Sequence, residues 1–287
     1  MKAQVGRYLR LARFDRPAGT LLLLWPTLWG LWAAAQGYPG AKWLMVFVAG
    51  VVVMRAFGCI VNDMADRDLD KAVSRTLGRP LASGEVSMRE AAALALFFLL
   101  LALGLFLLLP PLARWWSVAA LALAVLYPFS KRVIAAPQAV LGVTFSAGIL
   151  VADVAVREAA PSLDAWLLFG GNLLWIIAYD TIYAMADRED DKAYGKIGST
   201  ALLFGKRDVV AVSLFYSACL LWLSLAGIIL NYGAMYQVAL IAAAVSVFKF
   251  WQKYRTRLPQ ACMAAFRANH WFGLFVFAGV VAAHHTA

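Results

Sequence analysis

The sequence predicts an all-α, polytopic membrane protein of nine transmembrane helices, and three observations carry that reading. Of the 287 residues 63% are hydrophobic and mean hydropathy is +0.73, more apolar surface than one water-soluble core can bury. Only 15% are charged, against about 25% in an ordinary soluble domain. The apolar residues also fall into separate runs of about 20, the length that spans hydrocarbon as a helix.

In chain order the runs are 18–36, 43–61, 91–109, 115–130, 138–156, 163–183, 209–228, 234–248 and 268–284. The first follows a basic start and leads to Ala33-Ala34-Ala35, as a cleaved signal peptide would. Its length, its three tryptophans and Pro26 make it a retained span instead. The seventh and eighth derive from one uncharged stretch, 209–248, too long for a single crossing; Asn231-Tyr232-Gly233 divides it with turn-forming residues. No linker or shift in composition interrupts the series, so residues 1–287 read as a single domain.

Loop charge sets the orientation. Lys2, Arg7, Arg10, Arg13 and Arg16 precede the first span, and Arg67, Lys71, Arg75, Arg79 and Arg89 lie between the second and third. Lys131 and Arg132 follow the fourth. Arg188, Lys192, Lys196, Lys206 and Arg207 follow the sixth, and Lys249, Lys253, Arg255, Arg257 and Arg267 follow the eighth. These twenty-two share one side, whereas Lys42, Arg114 and Arg157 occupy the other and Arg55 lies within a span. Positive charge marks the cytoplasmic side. The amino terminus is therefore expected in the cytoplasm and the carboxyl terminus on the far side of the membrane. The net charge of +10 is accounted for by these loops, and no nucleic-acid partner is expected. Cys59, Cys219 and Cys262 stand alone, without the paired spacing of a disulfide framework or zinc site.

An internal repeat gives the architecture more detail. Residues 64–72 read MADRDLDKA and residues 185–193 read MADREDDKA, identical at seven of nine positions. One copy ends the second span and the other ends the sixth. A four-span offset keeps both on one membrane face, which predicts two four-helix pseudo-repeats plus a ninth helix.

Asp66 and Asp70, like Asp187 and Asp191, are four residues apart, on one helical face one turn from each other. Asp63 stands a turn before Asp66, beside Asn62. Like charges at this spacing repel, and a bound cation reverses that. Oxygen donors without His or Cys suit a hard ion such as Mg2+, which shares its coordination with substrate phosphates. Solvated acidic loops would explain one copy; two near-identical copies at the same depth favour ion binding. Arg55 requires a partner within the membrane, and it is expected to support the Asp cluster structurally. Asp153 has a local partner in Arg157, four residues on.

At these residues the chain closely resembles the UbiA superfamily of intramembrane prenyltransferases, and within it the hydroxybenzoate branch. The N-D-x-x-D-x-x-x-D motif corresponds to Asn62, Asp63, Asp66 and Asp70, and D-x-x-x-D to Asp187 and Asp191, preceded by Tyr179-Asp180-Thr181. A Y-x-x-x-K signature is met by Tyr127 and Lys131. DRPAGTLLLLWPTLWGLW at 15–32, RTLGRPLASG at 75–84 and YPFSKR at 127–132 extend the likeness over nearly the whole chain. In the fifth span, where close relatives tend to carry Trp-Ser-Ile-Pro, this chain departs with FSAGILVAD at 145–153.

The resemblance implies nine helices around a central cavity, capped by helical cytoplasmic loops. It also implies transfer of a polyprenyl group from a polyprenyl diphosphate to an aromatic acid, 4-hydroxybenzoate, in ubiquinone biosynthesis. Mg2+ would be held by Asn62, Asp63, Asp66, Asp70, Asp187 and Asp191. Arg13, Arg75 and Lys131 would clamp the diphosphate beside Tyr127, Arg132 would orient the acceptor carboxylate, and Asp180 or Asp191 would assist proton loss. A phosphotransferase acting on CDP-alcohols needs a Gly soon after its second Asp, where this chain has Lys71-Ala72. A cation-coupled transporter would place its acids near the bilayer midplane, whereas these gather at one face among basic residues.

Overall fold

The computed structural model describes residues 2–71, 75–130, 133–195 and 198–284, the side chains of residues 2–4 and 194 excepted. The chain forms α1 (Lys2–Leu11), α2 (Ala18–Ala35), α3 (Gly40–Ala65), α4 (Arg67–Asp70), α5 (Met88–Leu107), α6 (Pro111–Ser130) and α7 (Pro137–Arg157). There follow α8 (Leu163–Tyr194), α9 (Thr200–Phe204), α10 (Asp208–Ile229), α11 (Gly233–Tyr254), α12 (Pro259–Ala268) and α13 (His270–Ala283).

Among the described residues nine helical stretches are long and apolar enough to cross a membrane, as the hydrophobic runs predict. Their ends obey local chemistry. Ser87 starts α5 with a capping box: its hydroxyl accepts from Glu90 N at 3.3 Å, while its own N–H donates to the Glu90 carboxylate at 2.8 Å. Ser162 caps α8 and Pro137 opens α7. The α10–α11 turn falls at Asn231 and Gly233, both at positive φ (56° and 77°).

The ninth crossing differs from expectation. α13 alone has 14 residues, about 21 Å, short of the ~30 Å hydrocarbon thickness. The crossing is completed by α12, so Arg267, counted above as loop charge, belongs to the helical unit. Asn269 joins the two pieces: Trp175 Nε1 and Tyr216 OH donate to its Oδ1 at 3.0 and 2.6 Å, and its Nδ2 donates to Ala265 O at 3.0 Å. A polar joint is tolerable there because its side-chain amide is satisfied on both sides.

Helix pairings repeat between the halves. α2 packs on α3 and α3 on α5, as α7 packs on α8 and α8 on α10, while α2 and α7 pack on each other. A Cβ on Gly30 would meet Ile149 O at 2.8 Å, so glycine permits this close approach. Trp29 stacks on Trp175 with centroids 5.6 Å apart and donates through Nε1 to Gly273 O at 3.0 Å, which ties α2 to α8 and α13. The first run is thus part of the core, with Trp29 and Leu31 fully buried. At the far face Asp153 pairs with Arg157 at 3.4 Å as expected, but holds Ser162 more closely, at 2.9 Å through its N–H and 2.7 Å through its hydroxyl.

Candidate active site

One cavity of about 1660 Å³ contains the Asp motifs, and its described lining comes from α2 to α8, the adjoining segments and α12. No lining residue belongs to α10, α11 or α13, which back the wall instead. Its charged end gathers Asn62, Asp63, Asp66, Asp70, Asp180, Asp187 and Asp191 with Arg13, Arg75 and Tyr127. The cavity continues between apolar side chains such as Val46, Phe47, Leu103, Phe106 and Val118.

The two copies of the repeat are folded differently. The second lies wholly within α8. In the first, α3 ends at Ala65, Asp66 leaves helical geometry (φ −98°, ψ 11°), and α4 resumes at Arg67. The backbone ladder nonetheless continues, Asp70 N donating to Asp66 O at 2.7 Å. Asp66 and Asp70 therefore stay one turn apart, as their spacing predicts.

Guanidinium groups hold three of the carboxylates. Arg13 Nη2 donates to both Asp63 oxygens at 2.7 Å. Arg79 Nη1 donates to Asp63 Oδ1 at 3.1 Å and to both Asp70 oxygens at 2.9 and 2.8 Å. Arg75 Nε donates to Asp187 Oδ1 at 2.6 Å while its Nη2 takes the other oxygen, and its guanidinium lies 4.5 Å from the Tyr183 ring centre. Asp63, Asp66 and Asp70 are all buried, between 1% and 4% exposed. Burial pushes the Asp70 carboxyl above its usual range, against the pull of Arg79, with Asp63 and Asp66 adding to the rise. Burial works against the charges of Arg75 and Arg79, but Tyr183 and the carboxylates more than offset it and both pKa values are raised.

A magnesium site fits this donor set. Among the described residues no three carboxylates converge on a single point, but magnesium binds through one or two carboxylates, retained waters and substrate phosphates. All the donors are oxygens, and all of them line the same cavity.

Sequence reasoning did not place Arg79, Asp190 or Tyr183 in the site and named Tyr179 only as part of a motif, yet all four line the cavity. Arg79 stands four residues after Arg75 in RTLGRPLASG, a signal obscured because Arg79 was counted only as topology charge. Lys131 and Arg132 lie outside the described residues. The expectation for Arg55 is overturned. Asp63 is already held by Arg13 and Arg79, and among the described residues Arg55 has no ion pair. Its Nε is buried without a hydrogen-bond partner. The guanidinium lies against Gly19, where a Cβ would come within 2.4 Å of Nη2, and it lines the cavity. The Tyr179 hydroxyl, on the same cavity, is likewise buried without a hydrogen-bond partner among the described residues.

The chain is similar to known proteins in sequence and in fold. A 4-hydroxybenzoate octaprenyltransferase from Stutzerimonas stutzeri (strain A1501) is 50% identical over 275 residues, 96% of this chain and 92% of that one. The apo structure of a UbiA homolog from Aeropyrum pernix K1 matches with TM-score 0.80 and 26% identity, covering 92% of this chain and 97% of the other. A UbiA homolog from Archaeoglobus fulgidus, solved bound to GPP and Mg2+, matches in fold with TM-score 0.69 at 17% identity over 96% and 99% of the two chains. The UbiA prenyltransferase family model matches residues 23–273, a range that includes both Asp motifs and most of the cavity wall, and the chain belongs to that family.

Proposed function

We propose that the protein transfers a polyprenyl group from a polyprenyl diphosphate to the ring of 4-hydroxybenzoate, ortho to the hydroxyl, in ubiquinone biosynthesis. The observation that carries this reading is a cavity with two chemically opposed parts, a charged region holding both Asp motifs and an apolar remainder suited to a lipid tail. The relative from Stutzerimonas stutzeri bears the corresponding name, and the Archaeoglobus fulgidus homolog was solved with a prenyl diphosphate and Mg2+.

Asn62, Asp63, Asp66 and Asp70 would hold one magnesium ion, and Asp187 and Asp191 a second. When bound, magnesium supplies Lewis-acid neutralisation of the leaving diphosphate. Arg13, Arg75 and Lys131 bind the diphosphate oxygens, to which Arg79 is added by its position between Asp63 and Asp70. The apolar walls keep water from the allylic cation as the carbon–oxygen bond breaks. The acceptor's phenol makes its ortho carbon electron-rich, and Asp180 or Asp191 takes the proton released after bond formation.

The acceptor carboxylate is assigned by resemblance to Arg132. Arg55 is a second candidate, supported by its position on the cavity and by having no carboxylate partner among the described residues. With Tyr179 nearby it would give the acceptor a cation and a hydroxyl. The orientation follows loop charge, with the amino terminus cytoplasmic, the Asp motifs at the cytoplasmic face and the carboxyl terminus periplasmic.

The experiment is direct. Membranes containing the protein are incubated with a polyprenyl diphosphate and either 4-hydroxybenzoate or homogentisate, with Mg2+ or with EDTA. A product of prenylated 4-hydroxybenzoate mass that needs Mg2+ supports the reading. Product from homogentisate alone would move the protein to another branch of the family.

A further inference from the structure

The carboxylates assigned to magnesium are the acceptors of the arginines assigned to diphosphate. Arg13 engages both oxygens of Asp63, Arg79 bridges Asp63 and Asp70, and Arg75 engages both oxygens of Asp187. A carboxylate gripped through both oxygens directs its two syn lone pairs, of the four it carries, at the guanidinium. Magnesium requires such an oxygen at about 2.0–2.1 Å with near-octahedral geometry. The ion and the guanidinium therefore compete for the same lone pairs, and the two positive charges also repel.

The unequal freedom of the partners decides which moves. Asp63 is a short side chain in α3 and Asp187 one in α8. The three arginines have long stems on connecting segments: Arg13 follows α1 at φ 62°, and Arg75 and Arg79 lie between α4 and α5. A guanidinium that leaves its carboxylate inside this cavity needs another anion, and a diphosphate offers oxygens that match its planar fork.

Resting on the proposed magnesium and diphosphate sites, we infer that Arg13, Arg75 and Arg79 are exchangeable counter-ions of the Asp motifs. They occupy the carboxylates until magnesium takes them, and then pass to the diphosphate. Each ligand thereby prepares the other's site. Magnesium frees the arginines that bind diphosphate, and diphosphate withdraws the arginines that obstruct magnesium. The two bind with positive cooperativity, and by linkage the factor is the same in both directions.

The unusual consequence is that removing an arginine from the site should tighten metal binding. The test uses the purified full-length protein in detergent, with Mn2+ as a paramagnetic probe of the magnesium sites and geranyl S-thiolodiphosphate as an unreactive donor analogue. Free Mn2+ is followed by EPR, with solution chelation by the analogue measured separately and subtracted. In the wild type, saturating analogue should tighten Mn2+ binding about fivefold or more. In Arg79→Gln and in Arg75→Gln, which act on different motifs, Mn2+ alone should bind several-fold more tightly than to wild type, and the effect of the analogue should shrink. Arg79→Lys keeps the charge and should stay close to wild type. Thermal unfolding verifies that each variant is folded, and either glutamine variant suffices if the other is not. Should Mn2+ fail to bind even with the analogue present, the metal reading itself falls and the exchange with it. Should Mn2+ bind to wild type but no more tightly to the folded glutamine variants, the exchange is overturned while the metal site stands.

Discussion

Arg188, the residue after Asp187, turns away from the cavity and binds Asp208 at the start of α10. Its Nη2 donates to the Asp208 carboxylate and, at 2.9 Å, to Ala201 O. Asp208 is fully buried and also accepts from Arg257 Nη2 at 2.8 Å, on the segment between α11 and α12. One carboxylate outside the cavity thus joins the helix of the second Asp motif to two of its neighbours.

Asp208→Ala should therefore lower stability and disturb the site together. Removing one member of a buried ionic cluster costs about 3–5 kcal/mol, and the lower end applies because Arg257 reaches solvent. A fall of several degrees in apparent Tm in detergent is expected, with a raised Mg2+ requirement. An unchanged Tm would mean that the cluster contributes little.

The nine crossings were legible because lipid imposes a length and polarity on every span that no tertiary contact overrides. The α10–α11 turn was legible in Asn231-Tyr232-Gly233 for the same local reason. The Asp motifs declared themselves by repetition and spacing. What did not show was partnership. Arg79 bridges Asp63 and Asp70 from a loop, and its four-residue spacing from Arg75 does not by itself name those partners. Arg55 was expected at the Asp cluster because a charge within the membrane needs a partner, but that need does not reveal that Arg13 and Arg79 take Asp63 from other segments. The break between α12 and α13 escaped notice because the bonds that satisfy Asn269 come from Trp175 and Tyr216, distant in sequence.

Metal removal is the plainest test of the Asp motifs. EDTA should abolish transfer and Mg2+ should restore it. Asp66→Ala and Asp187→Ala should each reduce the rate about a hundredfold or more, since each removes charge that holds the group stabilising the leaving diphosphate. Wild-type-like elution on size exclusion would separate loss of chemistry from loss of folding. Full activity in EDTA would exclude the two-ion arrangement.

Orientation is tested independently of activity. The loops that carry most of the basic residues alternate with loops that carry few, and an odd number of crossings puts the termini on opposite sides. A reporter fused after Ala287 should be active only in its periplasmic form, and one placed before residue 5 only in its cytoplasmic form. Cytoplasmic activity at the carboxyl end would mean that α12 and α13 do not together complete a crossing.

The acceptor's carboxylate can be assigned by comparing Arg55 with Arg132. Lys131 and Arg132 are adjacent in sequence, and the proposed function gives them different groups to bind. The proposed function assigns Lys131, with Tyr127, to the diphosphate. Loss of a charge-assisted bond to a carboxylate costs about 1.5–3 kcal/mol, roughly ten- to a hundredfold in kcat/KM. If Arg55 binds the carboxylate, Arg55→Ala should raise the KM for 4-hydroxybenzoate by about that factor and leave the KM for the prenyl diphosphate nearly unchanged. Arg132→Ala should then have the smaller acceptor effect, and Lys131→Ala should act on the diphosphate. Gly19 provides an independent handle on the same group. A side chain there would occupy the place of the Arg55 guanidinium, 2.4 Å from Nη2, so Gly19→Val should reproduce the acceptor defect in milder form without removing any charge. An acceptor that lacks the carboxylate should be used poorly by the wild type but lose most of its disadvantage in Arg55→Ala, because the missing partners compensate one another. The assignment to Arg55 is wrong if Arg132→Ala alone shows this compensation, or if Arg55→Ala raises the requirement for prenyl diphosphate instead.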